Sequence, residues 1–298
     1  MNSIQLLDAS LRDGGHRTNF HFTDSELQGI LIPLDNSGVE YIEIGYRNSS
    51  AHPGDTLGRA GYCDRNYLLF CQSLIKNSTI AVMAHAKNIN ESDLVELKEC
   101  GVGLLRICIP KGGLAEAVPI IKMAKQLNML VSVNFILMTS YSDEELDLVV
   151  EQVSHHDPDM IYFADSNGSI LPHRIKAIYE RYTPNYKVPF GFHAHDNIGL
   201  AQTNALTAMN CGAQFIDASL AGMGKGTGNL KTEFFIAFLH ANKVNKYDLH
   251  SALCASNYVR NVLKIGHEAI EMEEFVRGIS DISSAVDLKM YHLKSKGL

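Results

Sequence analysis

Short apolar runs rich in β-branched residues alternate along this chain with longer amphipathic stretches. The runs are IQLLDAS (4–10), VEYIEIG (39–45), TIAVMAHA (79–86), VGLLRICIP (102–110), MLVSVNFILM (129–138), DMIYFADS (159–166), VPFGFHAHD (188–196) and AQFIDASLAG (213–222). Their near-continuous hydrophobicity is that of parallel strands covered on both faces. Helix patterns lie between them. TDSELQGILIPL (23–34) opens with Thr23 and Glu26 at capping-box spacing and puts Leu27, Ile30, Leu31 and Leu34 on one face. SDEELDLVVEQV (142–153) repeats the device with Ser142 and Glu145, and with Leu146, Val149, Val150 and Val153 as the apolar face. Further helices are predicted near 64–76, 91–100, 114–127, 172–182, 198–210 and 229–242.

Eight strand-then-helix units fit a (β/α)8 TIM barrel, which typically needs about 250 residues. An open doubly wound sheet is the main competing architecture. After about residue 245 the alternation stops, and DLHSALCASNYVRNVLKI and EAIEMEEFVRGI read as helices with no strand between them. The predicted organisation is therefore a TIM-barrel catalytic domain over residues 1–244, with a helical C-terminal extension over 245–298 packed on the barrel.

Composition narrows the class. The 298 residues are 46% hydrophobic and 20% charged, enough for a sizeable core. A net charge of −7 argues against a nucleic-acid partner. The cysteines at 63, 71, 100, 108, 211 and 254 form no CxxC pair, and several sit inside apolar runs as buried thiols do. With no signal-peptide pattern, a reducing cytoplasm is the expected location. No apolar run reaches the roughly 18–20 residues of a membrane span, so no membrane partner is expected.

Barrel active sites lie where strands end and βα loops begin. Here those ends are LLDASLRDGGH, EIGYRN, RICIP, ADSNG, HAHDN and SLAGMGKGTGN, and polar residues concentrate in them. Residues i and i+2 of a strand share a face, so His193 and His195 point the same way at the barrel mouth. Two imidazoles and a carboxylate make a facial metal site with open positions. The loop after the first strand projects over the same mouth and offers Asp13 as the third ligand. Taken alone, an HxH pair is more readily a stacked or hydrogen-bonded surface feature; the Arg12-Asp13 loop opposite shifts the reading to a metal site.

Gly14 and Gly15 release that loop into a tight turn and leave room for a ligand. His16 follows as a candidate general base. His155, His156, His173, His240, His250 and His292 fall in helical or loop contexts and read as solvated or structural. GMGKGTGN (222–229) lacks Walker spacing and reads as a lid or a loop of backbone donors over the mouth. Ser166, at the end of the sixth strand, is a candidate substrate contact.

DASLRDGGH, EIG, FILMTS, ADSNG, GFHAHDN and SLAGMGKGTGNLKTE occur in order, each at a strand end. Together they resemble the DRE-TIM metallolyases (HMGL-like), the superfamily of metal-dependent pyruvate aldolases, HMG-CoA lyases and isopropylmalate synthases, over about residues 4–240. Within it the chain is most similar to the 4-hydroxy-2-oxovalerate aldolases. The resemblance implies a divalent metal on Asp13, His193 and His195, with manganese expected first and magnesium or zinc as alternatives. It implies that Arg12 stabilises an enolate oxygen, that Ser166 helps hold the carboxylate of pyruvate, and that His16 transfers a proton. Glu43 matches a glutamate near the substrate, and Asn229 matches a position that ligates the metal in some lyases or supports its ligands.

The reaction implied is class II aldol cleavage or formation of a C–C bond of a 4-hydroxy-2-oxo acid, through a metal-stabilised enolate. Its partners would be a small 2-oxo acid and an aldehyde. The chain lacks the loop cysteine of HMG-CoA lyases. It also lacks the GYAGVYSSF-like segment of bacterial aldolases that dock on an aldehyde dehydrogenase, so such a partner is not expected, nor is Tyr291 a match for their tail tyrosine. A homo-oligomer is compatible with the sequence. The competing functions are a Claisen-type synthase joining acetyl-CoA to a 2-oxo acid on the same metal site, and a noncatalytic barrel.

Overall fold

The structure, a computed structural model, describes residues 3–49, 56–266, 277, 281–284 and 286. Eight parallel strands close into a barrel in sequence order: β1 Gln5–Asp8, β2 Tyr41–Tyr46, β3 Thr79–His85, β4 Leu104–Ile109, β5 Leu130–Phe135, β6 Met160–Asp165, β7 Phe190–Ala194 and β8 Phe215–Ala218. The outer helices are α1 Asp24–Asn36, α2 Arg65–Leu74, α3 Glu91–Glu99, α4 Leu114–Gln126, α5 Asp143–Ser154, α6 Pro172–Tyr182, α7 Ala201–Asn210 and α8 Thr232–Ala241. β8 pairs with β1, which removes both sheet edges and rules out the open sheet. Among the described residues no helix is long and apolar enough to cross a membrane.

Both predicted capping boxes form. The Thr23 and Ser142 side chains accept the amides of Glu26 and Glu145, whose carboxylates accept the cap amides in return. Two helices start later than their sequence pattern suggests. Asp196 Oδ1 accepts from the Ala201 amide at 2.9 Å after a turn through Gly199 (φ +74°), so α7 begins at Ala201. Asn229 bridges to His195 and Lys231 to Ser219, which keeps 229–231 extended and delays α8 to Thr232.

Strand side chains alternate between two environments. Outward residues such as Ile42, Ile44, Val82, Leu105, Ile107, Val133, Phe163 and Phe192 pack with the helices in the main core. Inward residues change character along the barrel axis. Leu7, Tyr41, Ala81, Leu104, Met160, Tyr162 and Phe215 fill the lower interior. One pleat higher come Glu43, Arg106, Asn134, His193 and Asp217, all buried. Gly191 makes this filling fit, because a Cβ there would lie 2.4 Å from the Tyr162 ring.

Beyond the barrel, α9 (Leu249–Tyr258) packs on α1 and α8 and runs into a π turn at Val259–Leu263. The Tyr258 ring lies against Gly29 of α1, and its hydroxyl donates to the Ser25 carbonyl at 3.2 Å. Tyr247 donates to Glu40 at 2.9 Å, and Asp248 N–H to the Ser37 carbonyl at 2.8 Å. The helix predicted for EAIEMEEFVRGI lies outside the described residues except at Arg277, and Tyr291 and His292 lie outside them altogether.

Candidate functional site

The inward positions at the strand ends converge on one cavity of about 280 Å³, lined by Arg12, Asp13, His16, Ser166, His193 and His195 among others. Asp13, His193 and His195 are buried, and one ligand atom of each lies within 4.8 Å of the others. No other group of three His, Cys, Asp or Glu side chains meets this geometry among the described residues.

Each imidazole is oriented by a second partner. Strand register sets His193 beside Asp217, and His193 Nδ1 lies 3.0 Å from Asp217 Oδ2. His193 Nε2 is thereby aimed inward, where it is buried with no hydrogen-bond partner. His195 Nδ1 faces the Lys225 carbonyl at 3.3 Å, leaving Nε2 3.9 Å from Asp13 Oδ2. Such outer hydrogen bonds fix tautomer and ring plane in metal-binding histidines. Asn229 Nδ2 donates to Asp13 Oδ2 at 2.8 Å, while its Oδ1 is buried without a partner. These orphaned acceptors, one carboxylate and two imidazoles suit a divalent cation.

The electrostatics favour the ligand forms. Burial alone pushes the Asp13 carboxyl up, but the charges of Arg12, His195 and His193 outweigh it and hold the group well below the ordinary carboxylate range. Burial pushes the His195 imidazole down to about 4, against the pull of Asp13, so the ring is neutral at pH 7. A deprotonated carboxylate and neutral imidazoles are the states that bind metal.

At the base of the cavity lies a charged network, of which Arg106, Asn134 and Asp217 were not singled out from the sequence. Arg12 Nε donates to Glu43 Oε2 at 2.7 Å, and Arg12 Nη1 to Asp13 Oδ1 at 2.6 Å. Arg106 donates to the same Glu43 oxygen at 3.0 Å, to Asn134 Oδ1 at 2.8 Å and to Asp217 Oδ2 at 2.7 Å. Its guanidinium also stacks 4.4 Å above the Tyr162 ring. An isolated buried charge costs several kcal/mol, so Arg106 is tolerable only because two carboxylates and an aromatic face surround it. One guanidinium thus ties the carboxylate that holds Arg12 to the carboxylate that holds His193.

The same network sets the position of Glu43. Its side chain is fully buried behind Arg12 and does not line the cavity, so it reaches a substrate only through Arg12. The reason given for Gly14 and Gly15 changes. Neither has a positive φ, and neither leaves empty space. A Cβ would lie 2.6 Å from the Met223 side chain at Gly14 and 2.4 Å from the Phe20 ring at Gly15. GMGKGTGN acts through its backbone: the Lys225 amide donates to Asp13 Oδ2 at 3.2 Å, and its carbonyl orients His195.

His16 is exposed at the rim, edge-on to Phe20 at 5.0 Å and to Tyr46 at 6.3 Å. Tyr46 lies 5.8 Å from the Arg12 guanidinium and stacks on His85, a cavity histidine at the end of β3. Burial lowers the His85 pKa, helped by Lys87 and Arg12, so this ring too is a neutral base at pH 7. Strand-end position was the signal that could have found it. Ser166 Oγ accepts from the Leu137 amide at 2.9 Å, which leaves its hydroxyl proton for a ligand in the cavity.

The arrangement can bind a cation, oppose developing negative charge with Arg12 and accept a proton from a ligand. Known proteins resemble this chain in sequence and fold. A 4-hydroxy-2-oxovalerate aldolase of Moorella thermoacetica is 34% identical over 242 residues, covering 80% of this chain and 70% of that protein. An oxaloacetate decarboxylase of Mycobacterium tuberculosis is 28% identical over 235 residues, covering 78% of this chain and 69% of that protein. The crystal structure of the N-terminal domain of a putative aldolase from Bacteroides vulgatus superposes with a TM-score of 0.85 at 25% identity, covering 99% of this chain and 97% of that one. With the HMGL-like family profile matching residues 3–259, the chain belongs to the HMGL-like family.

Proposed function

We propose that this protein is a divalent-metal-dependent, class II pyruvate aldolase that cleaves or forms the C3–C4 bond of a 4-hydroxy-2-oxo acid. The observation that carries this reading is the buried triad of Asp13, His193 and His195, with His193 Nε2 unpartnered and Arg12 beside it. Asp13, His193 and His195 would hold the ion, with Asn229 as a further ligand or as the residue that orients Asp13. When bound, a manganese, magnesium or zinc ion supplies Lewis-acid polarisation of the 2-oxo acid.

The remaining chemistry belongs to the chain. The Ser166 hydroxyl donates a hydrogen bond to the substrate carboxylate. In cleavage, His16 takes the proton of the 4-hydroxyl, the C3–C4 electron pair moves into the 2-oxo group, and an aldehyde leaves. Arg12, fixed by Glu43, opposes the charge on the resulting pyruvate enolate oxygen. A proton then returns to C3 and pyruvate departs. Condensation runs the same steps backwards.

Decarboxylation of a 2-oxo acid that carries a carboxylate on C3 is a second reading, favoured by the similarity to the Mycobacterium oxaloacetate decarboxylase. It forms the same enolate but needs no base for a 4-hydroxyl, so His16→Ala distinguishes the two. The test of the shared step is proton exchange. Metal-loaded protein should exchange the methyl protons of pyruvate with solvent deuterium, followed by NMR. His193→Ala should lose both metal binding and exchange. Undiminished exchange in metal-free protein would overturn the proposal.

A further inference from the structure

Residues 281–284 lie against the ends of two strands at the barrel mouth, and none of their contacts is used in the chemistry above. Asp281 Oδ1 accepts from Thr139 Oγ1 at 2.8 Å, Asn167 Nδ2 at 2.6 Å and Ser169 Oγ at 2.8 Å. Thr139 follows β5, while Asn167 and Ser169 follow β6, so one carboxylate oxygen clasps two βα loops. Next to it Ile282 is buried. The buried Arg277 guanidinium donates to the carbonyls of Ser283 at 3.0 Å and Val286 at 2.8 Å, which shapes the turn that follows. Ser283 and Ser284 then line the same cavity as the metal triad. The triad is buried at its base, whereas Ser283 is half-buried and Ser284 exposed, at its rim.

The rim differs in chemistry from the walls. Met83, Ile136 and Leu137 give the cavity apolar sides that suit a short carbon chain. Ser283 and Ser284 share the cavity's lining with the exposed Lys225, whose ammonium has no ion-pair partner among the described residues. Among the described residues the only carboxylates lining the cavity, Asp13 and Asp217, are at its base and already engaged. A rim with hydroxyls and a cation suits an oxygen-bearing ligand end.

We infer that the Asp281–Ser284 segment is the aldehyde-selecting wall of the site, anchored by Asp281, and that it selects short aldehydes carrying a carboxylate or hydroxyl group. The inference rests on the aldolase reading above. Asp281 is a positioning residue, since it touches the loops and not the reacting atoms.

The experiment measures condensation of pyruvate with propanal, glycolaldehyde and succinic semialdehyde by metal-loaded protein, alongside pyruvate proton exchange. Wild type should favour the two oxygenated aldehydes over propanal by about tenfold or more in kcat/KM, because a site that supplies hydrogen bonds discriminates against a ligand lacking them. Asp281→Ala should collapse that preference mainly through KM for the aldehyde, with pyruvate exchange unchanged. Ser284→Ala should lower the preference as well. A wild-type preference for propanal would overturn the inference, as would an unaltered preference in both variants with exchange intact. Wild type that exchanges no pyruvate protons refutes the aldolase reading itself, and this inference with it.

Discussion

Replacing Asp217 by asparagine exchanges one carboxylate oxygen for an amide group of nearly equal volume, so the consequences are electrostatic. In the native site Asp217 Oδ2 accepts from His193 Nδ1 at 3.0 Å and from Arg106 Nη2 at 2.7 Å. Burial opposes the charge on Asp217, but Arg106 and His193 outweigh it and keep the group ionised. An amide removes the charge, weakens the hold on Nδ1 and lets the His193 ring turn. Loss of such a supporting carboxylate typically lowers metal affinity about 10–100-fold, or about 1.4–2.8 kcal/mol. Arg106 would keep Glu43 and Asn134 as partners. The fold should therefore lose less than the roughly 3–5 kcal/mol that follows when a buried charge is left unpaired. Calorimetric titration of Mn2+ into the metal-free wild type and Asp217→Asn, with urea unfolding of both, measures the two effects separately. A variant that binds Mn2+ as tightly as wild type would refute the claim that Asp217 prepares His193 for ligation.

Other outcomes follow from the same contacts. His16→Ala should lower aldol cleavage about 10²–10⁴-fold, the usual contribution of a positioned base, while leaving Mn2+ affinity unchanged; full activity would remove His16 from the mechanism. Burial opposes the charge on Asp35, but the amides of Lys76, Asn77 and Ser78 hold its carboxyl below the ordinary range. A depressed native pKa gives stability that is present above the unfolded value, near 3.9, and lost as pH falls through the native one. Asp35→Asn should thus cost about 1 kcal/mol at neutral pH, with screening taken into account, and progressively less below pH ~4. A pH-independent difference in urea midpoints would contradict this. Gly29→Ala puts a Cβ 2.3 Å from the Tyr258 ring. It should cost about 1–3 kcal/mol by overpacking, and much less in a Tyr258→Ala background, as read by a double-mutant cycle.

The fold was legible because both faces of every strand are buried, which wrote eight apolar runs into the sequence at barrel spacing. The HxH pair was legible because strand periodicity alone puts His193 and His195 on one face. Asp13 could be named because it lies in the loop that follows β1, where any barrel concentrates function. Arg106 was not legible. In LLRICIP it reads as a lone charge in an apolar run, and its partners Glu43 and Asp217 stand 63 and 111 residues away. Only barrel closure brings the three together. Glu43 was named only through the family resemblance, because nothing local in EIG shows that its inward pleat sets it behind Arg12. Gly14 and Gly15 were recognised as necessary, yet the cause is space against Met223 and Phe20, which no local pattern encodes. The anchoring of Asp281 by Thr139, Asn167 and Ser169 joins segments more than a hundred residues apart, so its place at the mouth has no sequence signature.

Anomalous diffraction from crystals grown with Mn2+ and oxalate tests the central claim most directly. One manganese peak should lie at bonding distance, about 2.2 Å or less by analogy with nitrogen and oxygen ligands of zinc, from an Asp13 oxygen, His193 Nε2 and His195 Nε2. Oxalate should contact Arg12 and Ser166. A manganese ion bound elsewhere, or a triad that stays empty with oxalate held by other side chains, would contradict the account.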